Sequence, residues 1–268
     1  MNATDIPDAQ AVRHPLLGLM RRFAVDWLDR ADPGTCREIM APGYTVSIGG
    51  EVLTGLASYV PATLGQLDRF PGLLLTVHDL FLAGDRIAMR FTEHGPSAAD
   101  GGRAAAWPGI GLFWWDGSVL VRNVTEEDYF GRRRQLADGV CDPIEAPMAA
   151  PWAVPDRGTS PEAESAVREW LERGDFDGAL LDDGWTGRSV PPLLEVAATD
   201  VKELFSAGDR VAFHVVQSGR YIGGLPDTNA AIGRNAELSA AGMVTVTGGR
   251  AVAGRVVRDR LGLRRRLR

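Results

Sequence analysis

The sequence predicts an α+β protein in which one domain occurs twice, each copy a set of helices packed on an antiparallel sheet. Three observations carry this. Residues 80–88 read Leu-Phe-Leu-Ala-Gly-Asp-Arg-Ile-Ala and residues 204–212 read Leu-Phe-Ser-Ala-Gly-Asp-Arg-Val-Ala, identical at seven of nine positions. A second echo closes each copy: Asp128-Tyr-Phe-Gly-Arg-Arg-Arg-Gln-Leu136 against Asp259-Arg-Leu-Gly-Leu-Arg-Arg-Arg-Leu267, so the offsets are 124 and 131 and the landmarks keep their order. Within each copy helical periodicity comes first and strand alternation follows. The period is far longer than that of a solenoid repeat, so each copy should bury its own core.

In the first copy, Leu16, Leu17, Met20, Phe23, Ala24, Trp27 and Leu28 recur at helical spacing with charges between them. This predicts one amphipathic helix entered at Pro15 and ended near Asp32-Pro33-Gly34. A short helix at Cys36–Met40 should stop before Pro42-Gly43, and Tyr44–Ile48 should be a strand ending at Gly49-Gly50. Leu56–Phe70 is helical again, with Tyr59, Leu64, Leu67 and Phe70 on one side. Strands are then expected over 73–82 and 86–94, joined by Ala83-Gly84-Asp85, and around 104–115 and 119–129, joined by Asp116-Gly117.

Five prolines punctuate residues 137–161 without periodicity, which reads as an extended, partly ordered linker. The expected division is therefore domain 1 over 1–136, linker over 137–161 and domain 2 over 162–268. The second copy opens with a helix at Ala163–Arg173 and runs quickly through Asp182-Asp183-Gly184-Trp185, a turn too short for a calcium loop. It has lost part of the helical layer.

The length of 268 residues suits two domains of ordinary size. The hydrophobic share of 45% and charged share of 24% are those of a soluble globular chain rather than a disordered one. A net charge of −6 argues against nucleic acid as a partner, and the cluster Arg264, Arg265, Arg266 and Arg268 reads as a solvated end. Cys36 and Cys141 show neither metal-ligand spacing nor a disulfide framework. The stretch Met1–Asp8 is polar and acidic, unlike a signal peptide, and no apolar run approaches the ~20 residues of a membrane span. The expectation is a cytoplasmic protein with no membrane partner, no metal and no cofactor: there is no P-loop, dinucleotide fingerprint or Ser/His/Asp string.

The string from Phe70-Pro-Gly through His78-Asp-Leu, then Ala83-Gly-Asp-Arg through Glu93-His-Gly95, Asp116-Gly, and Asp128-Tyr-Phe with Gln135-Leu136, resembles the SnoaL-like polyketide cyclases of the nuclear-transport-factor-2-like superfamily. The resemblance covers nearly all of the first copy and, more loosely, the second from about Ala163. It implies two tandem cone-shaped α+β barrels. It also implies an acid at the end of the last strand, and Asp128 takes that place. Asp-Tyr-Phe further resembles limonene-type epoxide hydrolases, whose second acid would fall on Glu93. The arginine of that family's triad has no counterpart, since Phe91 stands in its place and Arg90 is one residue away. The cyclases' assisting histidine would fall near Trp114 or Trp115. The superfamily includes cyclases, isomerases, epoxide hydrolases and binding domains, so the fold does not select a chemistry.

Strand parity sorts the candidates. Ile87, Met89, Phe91 and Glu93 share one face, and Val211, Phe213, Val215 and Gln217 share the matching face of the second copy. An apolar face ending in an acid is the expected wall of a small-molecule pocket. Asp128 and Glu93 are the candidate catalytic acids. Phe91, Arg90, His94, Trp107, Tyr44, His214, Tyr221 and Asp259 are candidate substrate contacts. Against each stands a structural role: Asp128 and Asp259 as turn formers paired to arginine, the tyrosines as core, the histidines as satisfied strand residues. Trp114 and Trp115 point to opposite faces, so one is expected at a contact between the two domains, which should pair sheet against sheet inside the chain. A homo-oligomer is the further possibility. The function expected is cofactor-independent acid/base catalysis on a hydrophobic polyketide-like or polycyclic molecule: cyclisation, isomerisation or epoxide opening. The alternative is a non-catalytic binding or assembly protein.

Overall fold

The structure is a computed structural model and describes residues 14–174 and 176–268. The opening segment read above as unlike a signal peptide lies outside them. No helix among the described residues is long and apolar enough to cross a membrane.

The first half begins with α1 (Pro15–Arg21), which continues without a break as a π-helix over Arg22–Asp29. Asp32 then caps α2 (Pro33–Ile39) by accepting from the Gly34 N–H. Asp-Pro-Gly therefore starts a helix rather than merely ending one, as a capping Asp followed by Pro at the first helical position should. Strand β1 (Met40–Ile48) opens earlier than expected and takes in Pro42 and Gly43, its pairing with β6 (Leu120–Glu127) shifting register between Met40 and Thr45. A proline is tolerated at such an irregularity because the ladder is already broken there. Strand β2 (Glu51–Thr54) turns back from Gly49-Gly50 and pairs with β1. Helix α3 (Leu56–Arg69) buries Tyr59 and Leu67 and is followed by the buried Phe70.

Strands β3 (Leu74–Ala83), β4 (Arg86–Ser97) and β5 (Arg103–Trp115) complete a sheet of order β2-β1-β6-β5-β4-β3, antiparallel except for the β1–β6 pair. The last strand ends at Glu127, and Asp128 caps a helix the sequence reading missed, α4 (Tyr129–Asp138).

The second half repeats this plan with a thinner front. Ser160 caps α5 (Pro161–Glu172), followed by the three-residue strand β7 (Ala179–Leu181), which pairs parallel to β11 (Arg250–Arg258) as β1 pairs with β6. Strands β8 (Leu194–Ala207), β9 (Arg210–Tyr221) and β10 (Asn235–Thr247) give the order β7-β11-β10-β9-β8, and Asp259 caps α6 (Arg260–Leu267). The duplicated turns are equivalent: Ala83 pairs Arg86, Ala207 pairs Arg210, and Gly84 and Gly208 both have φ +59°. That left-handed conformation explains the glycine in both copies.

Each sheet uses its two faces differently. Ile87, Met89 and Phe91 join the first domain's core with the helices, and Val211, Phe213 and Val215 join the second's. The opposite faces meet. Phe81, Ala83, Ala88, Ile110 and Leu112 of the first sheet pack on Phe205, Ala207, Ala212, Ala241, Met243 and Val257 of the second, forming a buried apolar layer between the domains. Trp114 belongs to this layer, edge-on to Phe205 with ring centroids 6.1 Å apart, and the Arg122 guanidinium lies 4.7 Å over its ring. Trp115 points the other way, against the first core and His14. The proline-rich segment runs along β3: Met148 N–H donates to Val77, and Glu145 bridges Arg90 and Arg255.

Candidate active site

Inside the first domain the sheet and the helices enclose a cavity of about 170 Å³. Its apolar wall comes from the π-helix (Phe23, Leu28), β1 (Val46, Ile48) and β4–β5 (Phe91, Phe113). Phe91 lies across Gly109, where a Cβ would come within 2.4 Å of the ring, so the glycine makes room for this wall. The polar groups gather at one end: Gln66 and Thr63 from α3, Glu93 from β4, Asn123, Thr125 and Glu127 from β6, and Tyr129 from α4.

Glu93 and Glu127 are the two carboxyls that line the cavity. Both are buried, at 3% and 8% exposure. Glu93 pairs across strands with Trp107, and Glu127 with Gly109 two residues further along β5, so β5 carries the indole between the two acids. Trp107 Nε1 donates to Glu127 Oε2 at 2.9 Å, and Gln66 Nε2 donates to Glu93 Oε2 at 2.6 Å. Tyr129 is hydrogen-bonded to Glu127 as well. Burial, and then the neighbouring Glu127 charge, hold Glu93 well above the ordinary carboxylate range; burial raises Glu127 too, against the opposing pull of Trp107, Arg132 and Tyr129. Two coupled carboxyls in one low-dielectric pocket favour a state with a single proton between them. Each acid has two side-chain donors, Trp107 and Tyr129 for Glu127 and Gln66 and Trp107 for Glu93, and Glu93 stands the further above the ordinary range, so Glu127 is the better home for the charge and Glu93 for the proton.

Arg132 offsets that charge from behind. Its guanidinium lies 4.3 Å over the Tyr129 ring and 4.8 Å over Trp107, and its Nη1 donates to Gln66 Oε1 at 3.3 Å.

Of the residues singled out in the sequence, Phe91 and Glu93 line the cavity; the others do not. Asp128 follows Glu127 but caps α4, accepting from the Gly131 N–H at 2.9 Å, and pairs with Arg260 of the second domain at 2.6 Å. It ends a strand whose inward positions are 123, 125 and 127, so it falls outside the alternation that fills the cavity. Asp259 has the same capping role at Gly262. Arg90 and His94 are on the outer face of β4, bonded to Glu145 and Thr76. His214 meets Glu126 Oε1 across the domain contact at 3.0 Å. Tyr221 is buried in the second domain, where its hydroxyl meets Thr228 and accepts from Leu225 N–H. Tyr44 is buried behind the wall, its hydroxyl without a hydrogen bond of ordinary geometry and with Asn123 the polar group beside it. Trp107 touches the site through its indole N–H, which serves Glu127 and also acts on Glu93.

Glu127 is the cavity acid that the sequence reading does not single out. Asp-X-X-Gly is a helix-cap pattern present in both copies, which places the strand end one residue earlier. In the second copy the two acids are replaced by Gln217 and Arg258. Gln217 donates to Gly174 O, and Arg258 is neutralised by Asp182, so no acid pair exists there. Among the described residues no group of three His, Cys, Asp or Glu side chains stands ready to hold a metal.

No protein-family profile matches this chain, and no curated protein matches it. Solved structures do. A candidate polyketide cyclase from Acidithiobacillus ferrooxidans is 20% identical over 46% of this chain and 94% of its own, with a TM-score of 0.41. A candidate SnoaL-like polyketide cyclase from Jannaschia sp. is 16% identical over 46% and 92%, with a TM-score of 0.42. TsrD from Streptomyces laurentii is 26% identical over 45% and 93%, with a TM-score of 0.41. The polyketide cyclases that the Ala83–Gly95 and Asp128 strings resemble are thus among the structures to which this chain is similar.

Proposed function

We propose that the first domain is a cofactor-independent acid/base catalyst acting on a small, largely apolar molecule, with Glu93 and Glu127 moving the protons. The observation that carries this is the buried, coupled carboxyl pair at the polar end of an otherwise apolar cavity. Two titrating groups whose surroundings push them apart provide an acid and a base at the same pH. Protonated Glu93 would donate to a carbonyl or epoxide oxygen. Ionised Glu127 would take a proton from carbon or from an attacking hydroxyl, in an isomerisation, cyclisation or ring opening. Water exclusion by Phe23, Leu28, Phe91 and Phe113 would strengthen both steps.

The cavity, open on one side, has a volume that suits a single ring or a short chain, since an apolar cavity of ~150 Å³ holds one benzene. The polycyclic substrate suggested by the sequence would fit only by inserting one ring and leaving the rest outside. The second domain is assigned a supporting role, having neither acid of the pair.

The test is turnover of small cyclic enones, β-keto esters and epoxides by the wild-type protein and by Glu127→Gln. Turnover abolished by the substitution supports the reading. Saturable binding of these compounds, with no turnover and unchanged by Glu127→Gln, would leave the non-catalytic binding reading instead.

A further inference from the structure

A second cleft, of about 420 Å³, opens at the seam between the domains, away from the acid pair. Four arginines line it: Arg134 from α4, Arg188 from the loop before β8, Arg258 at the end of β11 and Arg260 at the start of α6. Phe130 and Leu225 supply apolar surface beside them, and among the described residues the lining contains no acidic one. The described carboxylates that pair with these arginines are not part of that lining. Asp142 pairs with Arg134 and Arg188, Asp182 with Arg258 and Arg260, and Asp128 with Arg260. Asp182 and Asp128 are almost wholly buried, so among the described residues guanidinium groups are the charged groups that line the cleft.

Arg258 supplies a second observation. It is 3% exposed, and its Nε and backbone N–H both donate to Asp182 at 2.6 Å. Its Nη2 is buried with no hydrogen-bond partner. A buried charged donor left unmet is unfavourable, so such a group marks a place where an acceptor belongs. Anions match this need: a guanidinium presents a planar fork of donors that suits carboxylate or phosphate oxygens. The Phe130 ring, already 4.9 Å from the Arg260 guanidinium, adds a face for an aromatic or aliphatic group.

We propose that this seam cleft binds a small organic anion, a carboxylate or a phosphate monoester carrying an apolar group. Its oxygens would be held by Arg258 and Arg188, and its apolar part would lie against Phe130 and Leu225. The acid pair of the first domain takes no part, so the inference stands independently of the proposed catalysis. Since Arg134, Phe130 and Arg260 come from both domains, occupancy of the cleft would also tighten the seam.

Isothermal titration of the full chain with phenyl phosphate, benzoate and inorganic phosphate tests it. Saturable binding of phenyl phosphate or benzoate at millimolar concentration or below is expected, and which of the two binds tighter identifies the anion. Arg188→Ala, a change at a largely exposed side chain, should weaken binding about tenfold or more. Ser189→Glu, which sets a carboxylate at the exposed rim, should abolish it. Arg250→Ala, an exposed residue at the opposite end of β11 from Arg258, should leave it unchanged. No saturation with either aromatic anion overturns the proposal, as does binding that Arg188→Ala and Ser189→Glu leave intact in folded protein.

Discussion

Arg260 of the second domain donates to Asp128 of the first at 2.6 Å, and both side chains are buried. Asp128 directly follows Glu127, so a residue contributed by one domain holds the strand end that carries an acid of the other. The same carboxylate caps α4. Asp128→Asn keeps an acceptor for the Gly131 N–H but removes the charge facing Arg260. Breaking a buried ion pair from one side costs ~3–5 kcal/mol, and here about 2–4 kcal/mol is expected because Asp182 still neutralises Arg260. Urea denaturation should show that loss. Turnover per folded molecule should stay within about tenfold of wild type, the reverse of what a general acid at this position would give.

The proton-moving residues should behave differently. Glu127→Gln and Glu93→Gln keep shape and remove titration, so each should lower kcat by about 10²–10⁴ with the fold retained. Trp107→Phe removes the indole donor from Glu127 and leaves the acid in place. A loss of about tenfold, with the acidic limb of the pH–rate profile moved to higher pH, is expected because a donor that favours the charged form of the base has gone. An unmoved profile would count against the role given to Glu127.

Stability gives a second, activity-free reading of the pair. Glu93 has its folded pKa above the ordinary carboxylate value, so the native state keeps its proton over a range of pH in which the unfolded chain has lost it. The sign is therefore a loss of stability as pH rises from the ordinary carboxylate range up to the folded value, and full retention below it. Glu127 and Glu126 are raised as well and act in the same direction. Glu93→Gln should make the protein more stable at pH 8 by roughly 1–3 kcal/mol, the usual scale for relieving a poorly compensated buried group. The gain should shrink toward pH 4. Melting temperatures of both proteins across that range check it. The second domain already carries the glutamine, at Gln217.

What the sequence disclosed followed from periodicity and repetition. The duplicated Ala-Gly-Asp-Arg turns, the inward face Ile87-Met89-Phe91-Glu93 and the opposite aims of Trp114 and Trp115 all come from period-two alternation anchored by a glycine that must take positive φ. The acid pair was half legible. Glu93 shows because its strand is strongly patterned, whereas Glu127 stands in a run of three acids, Glu126-Glu127-Asp128, where alternation alone gives no register. The Asp repeats because it caps the terminal helix of both copies. Short β2 and β7 have too few residues to show a pattern, and the π-turn in Arg22–Asp29 keeps an amphipathic face that reads as an ordinary helix. The seam cleft joins residues from the end of the first copy, the loop before β8 and the end of the second, and no local pattern encodes that meeting.

The two domains should unfold as one cooperative unit, because the layer between them is apolar and continuous with both sheets. Phe205 is its centre: it is buried, edge-on to Phe81 at 5.8 Å and to Trp114 at 6.1 Å, with Arg86 at 5.8 Å from the ring centroid. Phe205→Ala removes an aromatic ring from a packed site, which costs about 3–5 kcal/mol. If the contact couples the domains, calorimetry of the wild type should give one transition whose van't Hoff and calorimetric enthalpies agree. The variant should melt earlier and separate into two transitions, since the loss falls on the coupling while the first core around Phe113 and the second around Phe213 remain intact. Two transitions already in the wild type would mean that the apolar layer does not hold the domains together.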